Sequence, residues 1–140
     1  MTTGYTVRRT INAGPEKVWA VLTDVAGYTE WNPAVVSLRG RIALGERLRL
    51  VSVVDPKRTF TLRVAELDRP HRMVWANGMP LGLFRGVRTY ELRPTGDGGT
   101  EFSMVEAFSG PLAPMITKAI PDLTESFQQW ADGLKRASEA

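Results

Sequence analysis

Between Ala34 and Phe108 the chain reads as six strand-like segments in succession, broken only by short turns, and one amphipathic helix then closes the sequence. The segments are Val35 to Arg41, Arg47 to Val54, Thr59 to Leu67, Met73 to Asn77, Phe84 to Arg93 and Thr100 to Phe108. Leu44-Gly45, Asp55-Pro56, Arg69-Pro70, Gly78 to Gly82 and Thr95 to Gly99 separate them. Connections this short join antiparallel neighbours, because parallel neighbours need a long crossover. Residues 5 to 12 alternate as a further strand, and Gly14-Pro15-Glu16 opens a short helix through Leu22, with proline at the first position and an acid in the first turn. Asp24 is placed to cap a second short helical stretch through Tyr28 and Trp31, which Asn32-Pro33 ends. Ile116, Ile120, Leu123, Phe127, Trp130 and Leu134 fall on one stripe of the closing helix, and Pro121 predicts a kink or a fresh helix start. The sum is an α+β chain: one curved antiparallel sheet of about seven strands, two short helices after the first strand, and a long C-terminal helix.

A long sheet covered by a single helix must bend around it, and side chains then diverge from the helix at the ends of the grip. An internal cavity between sheet and helix is the expected result. With a loop over Thr95 to Gly99, Pro94 lies opposite Thr100, Leu92 faces Phe102, Tyr90 faces Met104 and Arg88 faces Glu106. Arg93, Glu91, Glu101 and Ser103 are polar, so parity turns Leu92, Tyr90, Phe102 and Met104 inward. Arg88 and Glu106 inherit the inward direction.

A charge turned toward an apolar interior is costly unless paired, and the cross-strand register supplies the pair. Two roles fit it. It is a buried ion pair that satisfies itself, or Arg88 anchors a ligand carboxylate, phenolate or carbonyl oxygen while Glu106 orients it. The remaining candidates for a ligand-binding wall are the large apolar side chains. Trp31, Phe60, Trp75, Met79, Phe84 and Tyr90 come before the last hairpin loop, and Phe102, Met104, Phe108, Met115 and Phe127 after it. Met79, Leu81 and Leu83, spaced by glycines, are expected to form a lip at the cavity mouth.

Composition removes several kinds of chemistry. The chain has no cysteine, so disulfides, thiolate metal sites and cysteine nucleophiles are excluded. Its one histidine, His71, sits in the turn Asp68 to Arg72, so no multi-histidine metal site is available; we expect no metal and no cofactor. The net charge of +3 comes from dispersed basic residues interrupted by acids, which argues against nucleic acid as a partner. No apolar run is long enough to span a membrane and no apolar block follows the N-terminus, so a cytoplasmic protein is expected. At 140 residues, 1–140 is expected to form a single domain, as a monomer or homodimer.

Several short motifs resemble the START-like, Bet v 1-like (SRPBCC) superfamily, and within it the polyketide cyclase/dehydrase group of small bacterial proteins. They are Pro15-Glu16-Lys17-Val18-Trp19 with Leu22-Thr23-Asp24, the run Tyr28 to Pro33, Ala65 to Asp68 with Val74-Trp75, and Gly98-Gly99-Thr100 followed by Glu106, Phe108, Ser109 and Gly110. The resemblance covers nearly the whole chain and implies the helix-grip fold with a hydrophobic ligand cavity. Related sequences often carry histidine where Arg88 and Met104 stand here, so the general acid/base of a catalytic member is missing from this chain. The leading expectation is a binder of a small hydrophobic or aromatic molecule, lipid-like or polyketide-like. One alternative is a cyclase or dehydrase in which Tyr90 or Glu106 moves a proton and Arg88 polarises a carbonyl. The other is a chaperone-activator-like interaction module using the outer sheet face.

Overall fold

The computed structural model describes residues 3–140. Strand β1 (Thr3–Ile11) leads into helix α1 (Pro15–Leu22), a single 3-10 turn at Val25–Gly27, and the one-turn helix α2 (Tyr28–Trp31). Six strands follow: β2 (Val35–Gly40), β3 (Arg47–Ser52), β4 (Asp55–Asp68), β5 (Arg72–Gly78), β6 (Arg85–Pro94) and β7 (Thr100–Ser109). Two helices close the chain, α3 (Ala113–Ala119) and α4 (Thr124–Glu139). All seven strands form one antiparallel sheet in the order β1-β7-β6-β5-β4-β3-β2, so the α1–α2 segment carries the chain from one edge to the other. This is the helix-grip arrangement the sequence predicts.

Local chemistry explains the boundaries. Pro15 occupies the first turn of α1, where its missing N–H costs nothing, and the Asp24 side chain accepts a hydrogen bond from the Gly27 N–H at 3.3 Å to start the next turn. The stretch around Pro121 separates α3 from α4, with Ile120 extended and α4 beginning only at Thr124. The Asp55-Pro56 pair, expected as a turn, instead opens β4. Residues 55–62 pair with β3 alone, since β5 joins β4 only from Arg63 onward, so Pro56 stands where the sheet demands no second donor.

Curvature is concentrated on one side of the sheet. Register shifts interrupt β2–β3 near Val35/Ser37, β3–β4 near Leu50/Ser52 and β4–β5 near Val64/Glu66, whereas β5 to β7 and β1 pair without interruption. Helix α4 follows the regular side, packing chiefly on β1, β7, α1 and α2. Its closest approach is at Gly133, where an added Cβ would lie 2.3 Å from the Trp31 carbonyl oxygen. The core beneath it includes Ile11, Leu22, Tyr28, Tyr90, Leu92, Phe102, Met104, Ala131 and Leu134, all buried. The bent half, β3 and β4, curls away from α4. Space remains between them.

Candidate functional site

One row of inward-facing residues crosses the sheet from edge to centre: Tyr5 on β1, Glu106 on β7, Arg88 on β6, Trp75 on β5 and Val64 on β4. The last hairpin has the predicted register, with Arg88 opposite Glu106, Tyr90 opposite Met104 and Leu92 opposite Phe102. The Arg88 Nε donates to Glu106 Oε1 at 2.6 Å, and the side chains are only 13% and 14% exposed. Helix α4 clamps the cation from above: the guanidinium carbon lies 4.8 Å from the centre of the Phe127 ring and 4.9 Å from that of Trp130. Burial opposes the charge on Arg88, but the Glu106 carboxylate more than offsets it and raises the pKa above the ordinary arginine value. The group is a fixed cation.

Among the described residues, the second oxygen of Glu106 makes no hydrogen bond, and the terminal nitrogens of Arg88 make none of ordinary geometry, with the Tyr90 hydroxyl close beside them. Both side chains border a cavity of about 120 Å³. At about 30 Å³ per liquid water that is space for about four waters, more than a structural water or two. Phe60 and Leu62 of β4, Trp75 of β5, and Phe84 and Phe108 contribute its apolar walls on the sheet side. Ile116 of α3, Ile120, Pro121 and Leu123 at the break between α3 and α4, and Trp130 of α4 close the other side. Ser52, Asp55, Arg58 and Asn77 add polar atoms, and Arg58 lies 5.0 Å over the Phe60 ring.

Of the residues singled out from sequence, Phe60, Trp75, Phe84, Arg88, Glu106 and Phe108 are brought together around this cavity. Tyr90, Phe102 and Met104 are fully buried core residues that do not border it. Phe127 covers Arg88 and packs on Tyr5, and Trp31 packs on Tyr28. Met79 and Met115 are exposed, as are Leu81 and Leu83, and none of the four lines the cavity. Among the lining residues that sequence reasoning did not assign to the site are Leu50, Val54, Leu62, Ile116, the Ile120–Leu123 break and Trp130. The signal existed for most of them: Ile116, Ile120, Leu123 and Trp130 lie on the apolar stripe of the closing helix, and Leu50 and Leu62 alternate with the polar residues Arg49, Thr61 and Arg63.

Beside the ion pair, Tyr90 makes close ring contacts with Trp75 and Trp130, 4.9 Å and 6.1 Å between centres. Its hydroxyl makes no hydrogen bond of ordinary geometry, but it lies close to the Arg88 guanidinium. Burial raises its pKa well above the ordinary 10.0, with Arg88 offsetting part of the effect. A phenol held this way is a weak proton donor near neutrality. His71 is exposed in the β4–β5 turn, outside the residues that line the cavity.

A sheet that grips a helix around an apolar cavity with one buried charged pair defines a START-like, Bet v 1-like ligand-cavity protein. Residues 2–139 match the family described as polyketide cyclase / dehydrase and lipid transport, and the chain belongs to that family. Its fold is similar to that of protein MLL2253 from Mesorhizobium loti (TM-score 0.73, 22% identity, 96% of each chain covered). It is also similar to truncated norcoclaurine synthase from Thalictrum flavum (TM-score 0.72, 15% identity, 97% of this chain and 92% of that one). Hypothetical protein jhp0584 from Helicobacter pylori gives a TM-score of 0.74 at 15% identity, covering 99% of this chain and 88% of that one. No curated protein matches the sequence. At these identities the structural neighbours establish the fold.

Proposed function

We propose that the protein binds a small hydrophobic or aromatic molecule with one polar end, the apolar body lying between β4, β5 and the α3–α4 break and the polar end meeting Arg88 and Glu106. The observation that carries this reading is the uncommitted hydrogen-bonding capacity of that pair at the edge of an otherwise largely apolar cavity. Because the two charges cancel, the pair suits a neutral acceptor beside a donor, such as a carbonyl next to a hydroxyl, better than a free carboxylate, which would leave a net charge in a poorly solvated site. Binding is favoured over turnover because Tyr90 is sequestered in the core with a raised pKa, and His71 lies in an exposed turn.

The test is a thermal-shift screen with neutral hydroxy-carbonyl aromatics and matched hydrocarbons, run on the wild type and on Arg88→Met/Glu106→Leu. The double variant removes both charges, so neither is left unpaired. Compounds with the polar end are expected to raise Tm in the wild type and to lose most of that effect in the variant, while hydrocarbons act equally on both. Equal shifts for both compound classes in both proteins would remove the pair from the binding site.

A further inference from the structure

Four exposed large apolar side chains lie together, away from the cavity. Leu81 is 96% exposed, Met115 63%, and Met79 and Leu83 are also exposed. Leu44, Val53 and Val36 are exposed singly elsewhere, whereas these four lie on two segments, residues 79–83 and the start of α3, which are joined: the Leu112 N–H donates to the Leu83 carbonyl at 2.9 Å, and Gly110 leaves no room for a Cβ beside the Gly82 and Leu83 carbonyls. Leu81 stands in the left-handed region at φ 63°, the one non-glycine residue with positive φ among those described. A strained backbone that lifts a leucine into water asks for a reason outside packing.

The surroundings of this tip are cationic. A shallow groove beside Met79 and Gly82 is floored by Ala76 and Gly78 and flanked by Arg47, Arg63 and Arg85. Arg47 and Arg63 face each other directly across β3 and β4, a like-charge pair that disfavours the isolated fold. None of the three has an acidic partner among the described residues. Neither residues 79–86 nor residues 107–121 contain an acidic residue, and Lys118 shares a helix face with Met115.

We propose that this tip docks on an anionic lipid bilayer, inserting Leu81 and Met115 among the acyl chains while Arg47, Arg63 and Arg85 meet the headgroups. A few protruding side chains ringed by cations suit that occupant. A standard protein interface needs about 800 Å² on each side, far more than four side chains on a convex tip offer. Two-fold self-association would set the same cations against one another. The proposal is independent of what the cavity binds.

Vesicle co-sedimentation tests it, with phosphatidylcholine alone and with phosphatidylcholine mixed with phosphatidylserine, at low and high salt. Leu81→Asn is the key variant, because asparagine tolerates positive φ and the site is exposed, so the fold is kept. Binding is expected on mixed vesicles only, weakened by high salt and by Arg63→Gln or Arg85→Gln, and reduced about tenfold by Leu81→Asn. Failure to sediment with mixed vesicles, or equal binding by Leu81→Asn, would overturn the proposal. So would a dimer in sedimentation equilibrium that Leu81→Asn dissociates, or polyglutamate binding as tight as vesicle binding and indifferent to Leu81.

Discussion

At the scale of single residues, the behaviour of the site follows from which polar groups are partnered. Arg88 and Glu106 depend on each other, so removing one partner leaves the other charged and poorly solvated. Arg88→Met is expected to lower stability by about 3 kcal/mol in urea unfolding, and Arg88→Met/Glu106→Leu to recover most of the loss. The two buried tyrosines are expected to separate. Tyr28 donates its hydroxyl to the Leu22 carbonyl, whereas the Tyr90 hydroxyl makes no hydrogen bond of ordinary geometry and only lies close to the Arg88 guanidinium. Tyr28→Phe therefore costs about 1 kcal/mol at neutral pH, and Tyr90→Phe costs less by the same measurement. The Arg88–Glu106 contact was legible from the sequence because a single hairpin register fixes both residues. The exclusion of Tyr90 from the cavity was not, since inward parity is shared by core and cavity residues and says nothing of what lies above them.

At the scale of elements, the strands were legible from alternation and the turns from glycine and proline, with β4 the exception. There the physical context of Pro56, a stretch of strand with a neighbour on one side only, decides whether proline ends a strand or opens it. The break at Pro121 was also legible, but its consequence was not. By interrupting the closing helix it lets Ile116, Ile120 and Leu123 pack against Phe84 and Phe108 and, together with Trp130 of α4, close the cavity opposite the sheet. The seating of α4 rests on Gly133 against α2. Gly133→Ala is expected to destabilise by about 2 kcal/mol in urea unfolding, despite the helix propensity of alanine, because the new Cβ meets backbone that cannot move aside.

At the scale of the whole molecule, the regular half of the sheet holds the helix and the buried tyrosines, and the cavity spans from that half, at Trp75, Arg88 and Glu106, to the bent half, at Leu50, Phe60 and Leu62. Alkaline behaviour reports the first. Burial raises the pKa of both Tyr28 and Tyr90 above the ordinary 10.0, so the unfolded chain releases these protons first. Stability is full below about pH 10 and falls as pH rises beyond it toward the folded-state values. Urea unfolding from about pH 9 to 11 checks this, and Tyr90→Phe flattens the slope. The cavity, by contrast, was legible only as a consequence of curvature. Which side of the sheet bends depends on bulges at Val35/Ser37, Leu50/Ser52 and Val64/Glu66 that carry no local sequence signal. The measurement that bears most directly on the cavity is native mass spectrometry of the purified protein, with identification of any molecule extracted from it. The account predicts a bound small molecule with an apolar body and one hydrogen-bonding end; protein that arrives empty, and stays empty when incubated with such compounds, would contradict it.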